Sequence, residues 1–307
     1  MPTDFTIIIS NNDLPALINQ LTSILEVEEN SIINVSISLT ASYTTPDILI
    51  TLSAFFRNLK LRKIDVHGTI FPNPNNEGYL SRINFYDSLG IKFQEKYPRK
   101  SSQGKFLEIT NFNVKDDFRI VDQIILILKR QSVLDTDTMS VLSFCLGEIL
   151  GNICIHSETP NGGWAVCQHF PNQRKILLTI CDTGIGIHKA LTISPLYSEW
   201  SEEEAISQCI NEKVTNGKGK GYGLFATSNF ARTNQGNLTI YSGNHFLKVT
   251  NSNTSVHRMN FWQGTIVNLE INTNIAVDVN SVTPNYSDYR TDYLERYEDA
   301  IIDNLWD

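Results

Sequence analysis

Apolar and polar positions in the first hundred residues switch between a period of two and a period near 3.6. Phe5–Ser10 is a short apolar run that predicts a strand. In Asp13–Glu26, Leu14, Leu17, Ile18, Leu21 and Ile24 fall at helical spacing. Ile32–Leu39 alternates as a strand, and Pro46–Asn58 predicts a helix with proline in its first turn. Lys63–His67 predicts a strand, Gly78–Leu89 a helix and Lys92–Tyr97 a closing strand. The alternation is that of a small α/β domain over residues 1–97. From Tyr97 to Lys105 (Pro98, Arg99, Lys100, Ser101, Ser102, Gln103, Gly104) the periodicity breaks, so 98–115 is read as a linker.

Beyond it, Asp116–Gln131 and Thr136–His156 predict two long helices. Trp164–Phe170 and Lys175–Cys181 predict strands, and Glu202–Glu212 and Gly223–Thr233 helices. Leu238–Tyr241, Phe246–Thr250 and Thr265–Ile271 close the pattern as strands. This outlines a second α/β domain over 116–275, followed by a tail over 276–307. The chain carries a net charge of −8, and the tail holds eight acids against two bases. The remainder is close to neutral and lacks a basic stripe, so nucleic-acid binding gains no support. The longest apolar runs fall short of a membrane span, and the N-terminus lacks the basic and apolar regions of a signal peptide. Five cysteines without a CxxC spacing suit a reduced, cytoplasmic protein with buried thiols.

Three short segments carry chemistry. The first is Glu148-Ile-Leu-Gly-Asn152-Ile-Cys-Ile-His156, which puts Glu148, Asn152 and His156 on one helix face. Leu142, Leu146, Ile149 and Ile153 occupy the other face. A polar stripe of this kind can be a solvated face. It also suits Mg2+, which takes oxygen ligands and shares them with substrate phosphates. A carboxylate one turn earlier can take a proton from a nucleophile. The second segment is an apolar strand ending in Asp182-Thr-Gly184-Ile-Gly186. It reads as a tight turn or a calcium-type loop, or as a carboxylate offered to a ring amine with glycines that admit a flat ligand. The third is Gly217-Lys218-Gly219-Lys220-Gly221-Tyr-Gly223, just ahead of a helix starting near Leu224. It reads as a flexible linker or as backbone amides and lysines gathered for an anion. It fits neither a P-loop nor a Rossmann fingerprint, having no GxxxxGK[ST] and no preceding strand.

In this order the segments resemble the N-box and the two glycine boxes of the GHKL superfamily, the ATP-binding fold of gyrase, Hsp90, histidine kinases and MutL. The resemblance spans about Asp116 to Asn272. It implies an α/β sandwich of the Bergerat type, with helices on one face of a mixed sheet. It further implies ATP and Mg2+ as cofactors, Asn152 as the metal ligand and Glu148 as the general base. Asp182 would receive the adenine amine, with Gly184 and Gly186 beneath the base. Gly217, Gly219, Gly221, Gly223 and Leu224, with Lys218 and Lys220, would surround the phosphates. Thr265, in Gly264-Thr265-Ile-Val-Asn-Leu-Glu-Ile271, matches the last strand's adenine-side threonine. His156 reads as a helix-end contact. The segment Ile187–Asn216 would be the ATP lid, and Ile187–Gly219 is expected to be mobile without nucleotide.

The first domain, through Tyr79-Leu-Ser-Arg-Ile-Asn-Phe-Tyr-Asp-Ser-Leu-Gly90, loosely resembles STAS-like domains. That implies either a partner module or a structural cap. Helix 116–131 lacks the acceptor histidine of a histidine kinase. The pairing of domains therefore favours the anti-sigma serine-kinase group, hydrolysing ATP or phosphorylating a partner protein on serine or threonine, with a protein partner and a possible homodimer. A non-catalytic nucleotide-controlled switch is the alternative.

Overall fold

A computed structural model describes residues 2–95, 98–113, 117–160, 162–217 and 221–283, leaving aside the side chains of 117, 118 and 154–156. β1 (Thr3–Ile9), α1 (Leu14–Leu25), β2 (Ile32–Leu39), α2 (Pro46–Leu61) and β3 (Asp65–Pro72) form a βαβαβ unit. Its sheet is parallel, in the order β1-β2-β3. Asp13 caps α1, its carboxylate accepting the amide of Ala16 at 3.1 Å. Where one helix was expected over Gly78–Leu89 there are two short ones, α3 (Glu77–Arg82) and α4 (Phe85–Ser88). Asn84, at φ +65°, breaks them apart. The closing strand expected at Lys92–Tyr97 is absent from residues 92–95, and 96–97 lie outside the described residues.

The strand lies further on, inside the segment read as a linker. β4 (Phe106–Phe112) joins the second sheet. An irregularity in its pairing between Leu107 and Thr110 spoils the simple alternation that would have exposed it in the sequence. There follow α5 (Asp117–Gln131), α6 (Thr136–His156), β5 (Gly163–Phe170), β6 (Lys175–Cys181), α7 (Gly186–Thr192), α8 (Glu202–Gln208) and α9 (Gly223–Thr233). β7 (Asn237–Val249), β8 (Thr254–Asn272) and α10 (Val279–Val282) complete the described chain. The two strands expected at Leu238–Tyr241 and Phe246–Thr250 are one. β7 carries a bulge at Gly243, φ +60°, and continues through it.

The second sheet runs β4-β5-β6-β8-β7, and every pairing is antiparallel. The expected mixed sheet with helices on one face is therefore corrected twice. No parallel pair occurs among the described strands of this sheet, and both faces are covered. Ala165, Cys167, Leu178, Ile180, Val267 and Leu269 turn towards α5, α6 and α9. Trp164 and Val166 of β5, Tyr241 of β7, and Trp262 and Ile266 of β8 face the other way and join the core built on α1 and α2. The molecule is layered: parallel sheet, two helices, antiparallel sheet, helices. Polar ties cross the inner boundary. Tyr79 Oη donates to Gln168 Oε1 at 2.7 Å, and Asn268 Nδ2 to Asp47 Oδ2 at 3.3 Å.

Candidate functional site

The first two motif segments meet where α6 ends beside the end of β6, and the third touches the first at Gly223. β6 ends in Cys181, and Asp182 follows with only 2% of its surface exposed. Its carboxylate accepts the amide of Gly184 at 2.7 Å and the backbone amide of Thr265. Its own amide donates to the Thr265 carbonyl at 2.9 Å. Burial raises the Asp182 pKa to about 7, overcoming the two backbone bonds, which favour the ionised form.

Gly184 lies against the end of α6. A β-carbon there would stand 2.0 Å from the carbonyl oxygen of Ser157, the C-cap residue of that helix. The same carbonyl accepts the amide of Ile185 at 2.9 Å. The tightness of this seam admits glycine alone. It fixes the first glycine segment to the helix that carries Glu148 and Asn152. Gly186 opens α7, and Ser242 Oγ bonds both the Ile187 amide at 2.9 Å and the Gly264 carbonyl at 2.8 Å.

Glu148 and Asn152 lie half-buried on α6, one turn apart. Asn152 makes no side-chain hydrogen bond among the described residues. Glu148 borders the start of α9: a β-carbon on Gly223 would lie 2.6 Å from its Cβ and 3.0 Å from its Oε2. Beneath it Cys145 is sealed against Thr227 of α9, its thiol pKa pushed up to about 12 by burial. Leu224 is half-buried against the core, and Thr265 half-buried on β8 opposite Ser242. Gly221 packs on the backbone of Lys213 and Val214, its carbonyl accepting the Lys213 amide at 3.0 Å. Gly217, by contrast, stands in open space. Lys218, Gly219 and Lys220 lie outside the described residues, as do the side chain of His156 and the tail from 284 onward.

The structure thus joins Glu148 to Gly223, and Asp182 to Gly184 and Thr265. Three participants went unread in the sequence: Ser157, Ser242 and Gly264. Gly264 adopts φ +99°, and a β-carbon there would come within 2.7 Å of the Asp182 carboxylate. Its place next to Thr265 was the available signal. The segment read as the lid holds α7 and, where a helix was expected over Glu202–Glu212, α8. α7 and α8 pack against β7, with Glu202 accepting the amide of Asn244 at 3.1 Å.

No protein-family model and no curated protein matches the chain. Among the described residues no helix is long and apolar enough to cross a membrane, and no three His, Cys, Asp or Glu side chains group as a metal cluster. The donor set expected for Mg2+ is of another kind. It is one neutral amide oxygen supplemented by water and phosphate, and the uncommitted side chain of Asn152 fits it.

Proposed function

We propose that this chain is an ATP-binding regulatory protein with a GHKL-type site, acting on ATP with Mg2+. One observation carries the reading. A buried carboxylate, Asp182, sits at a strand end beside a glycine seam, and that seam is locked to the helix bearing Glu148 and Asn152. An adenine amine is the donor that such an acceptor suits, since a buried carboxylate gains most from a hydrogen bond that favours its ionised form. Asn152 would hold the Mg2+, which supplies charge neutralisation for the phosphates. Gly221 and Gly223, with Lys218 and Lys220, would face the phosphates at the start of α9. Glu148 takes the proton from the attacking hydroxyl, of water in an ATPase or of a partner's serine or threonine in a kinase.

A second reading, a nucleotide-controlled switch, draws on the shared core. Gly264 and Thr265 of the site lie between Trp262 and Ile266, both packed with the N-terminal unit. Ligand-induced movement of β8 would reach α1 and α2 through that packing. The N-terminal STAS-like unit would then present the consequence to a protein partner.

Calorimetry with ATP tests binding: saturable heat, weakened by EDTA, is expected, and none at millimolar ATP sinks the proposal. Incubation with γ-labelled ATP and Mg2+ separates the activities. Label on protein identifies a kinase, free phosphate an ATPase, and binding without either a switch.

A further inference from the structure

The parallel sheet treats its two edges differently. On β1, Gln20 stands where another strand would pair: its amide accepts from the Ile8 nitrogen at 2.7 Å and donates to the Ile8 oxygen at 3.0 Å. On β3 nothing among the described residues is hydrogen-bonded to the outer edge. The amide of Asp65 donates to Ser31 and that of Asn73 to Leu39, so the alternation turns Asp65, His67, Thr69 and Phe71 towards β2. The main-chain groups of Val66, Gly68 and Ile70 consequently point away from the sheet. Edges are ordinarily blunted by charge, proline or a covering element. This one carries a charge and a proline only at its two ends, Asp65 and Pro72, and Val66–Phe71 holds no Lys, Arg, Asp or Glu.

We propose that β3 is the pairing edge of a two-fold homodimer, the occupant being β3 of a second copy running antiparallel. The strand is complementary to itself. With Gly68 opposite Gly68 of the second copy, Val66 falls opposite Ile70 and Ile70 opposite Val66. These positions are outward-bonding on both chains, which gives roughly six main-chain hydrogen bonds. The β-branched pairs extend the apolar face that already packs on α2, where Val66 and Ile70 are half-buried. The central pair has no side chains to collide. On the other face His67 meets Thr69 and Asp65 meets Phe71, so like charges do not oppose one another. Two three-stranded sheets become one of six strands. This assembly is independent of nucleotide.

Light scattering on the full chain tests it from about 1 to about 100 µM, the range in which a modest interface assembles. The expected mass is twice the 34.7 kDa of the chain. Hydrogen exchange at the Val66, Gly68 and Ile70 amides should slow as concentration rises. Gly68→Pro removes the central outward donor, yet a β-carbon at 68 meets only the Val35 carbonyl, at 3.9 Å. This variant should be monomeric with an unchanged circular dichroism spectrum. A monomer throughout the range overturns the proposal. So does a dimer in which these amides exchange at the monomer's rate, or one indifferent to Gly68→Pro. Should that variant not fold, the exchange data on the unaltered chain decide.

Discussion

Protonation of Asp182 and binding of an adenine should be mutually exclusive. In the free protein the carboxylate has a pKa of about 7, against an ordinary 3.8. An amine donating to it favours the ionised form, so binding at pH 6 expels a proton from most molecules. Affinity should fall about tenfold for each pH unit below 7, or about 1.4 kcal/mol per unit. Adenosine is the ligand of choice, because ATP phosphates titrate in the same range. Calorimetry at pH 6 in two buffers of different ionisation enthalpy should register release of roughly 0.9 proton per adenosine bound. The free fold carries the complementary signature. Its proton is held more tightly than in the unfolded chain, so the stability Asp182 contributes is fully present below pH ~4 and lost as pH rises through about 7. The loss amounts to about 4 kcal/mol. Asp182→Asn should flatten this decline and weaken every adenine ligand. Saturable adenosine binding without proton release, or an unchanged pH profile in Asp182→Asn, would refute the reasoning.

Glu148→Gln should leave ATP affinity within about twofold and abolish turnover, because a proton acceptor acts mainly in the transition state; single-turnover kinetics beside calorimetry will show whether binding falls instead. Gly184→Ala forces a carbon to within 2.0 Å of the Ser157 carbonyl, so denaturant unfolding should reveal a loss of more than about 3 kcal/mol, with adenosine binding lost in whatever folds. Tyr79→Phe deletes the donor to Gln168 and should cost about 1 kcal/mol by the same assay, with no change in nucleotide affinity at saturating protein stability.

Much of the fold was legible because its elements are strongly periodic. Ile33–Leu39 alternates without a fault and lies in β2, and the stripe from Leu14 to Ile24 is the buried face of α1. Failures came where backbone irregularity cut the period, at the bulges of β4 and β7 and at Asn84. Layering was illegible for another reason. Trp164 and Val166 signal a buried face, but a strand's alternation does not say what buries it. At the site, charged and glycine positions announced themselves, whereas Ser157 serves through its main-chain carbonyl, which any residue type possesses.

The two-sided burial of the antiparallel sheet has a practical corollary for anyone dissecting this protein. Cutting before β4 to isolate the half that carries the candidate site would strip α1 and α2 from a surface holding Trp164, Tyr241, Trp262 and Ile266, all nearly inaccessible in the whole chain. A fragment presenting so large an apolar plane associates with itself or with chaperones. Expression trials should therefore keep residues 1–283 together, and activities lost on truncation would report exposed tryptophans before they report any regulatory role of the missing half.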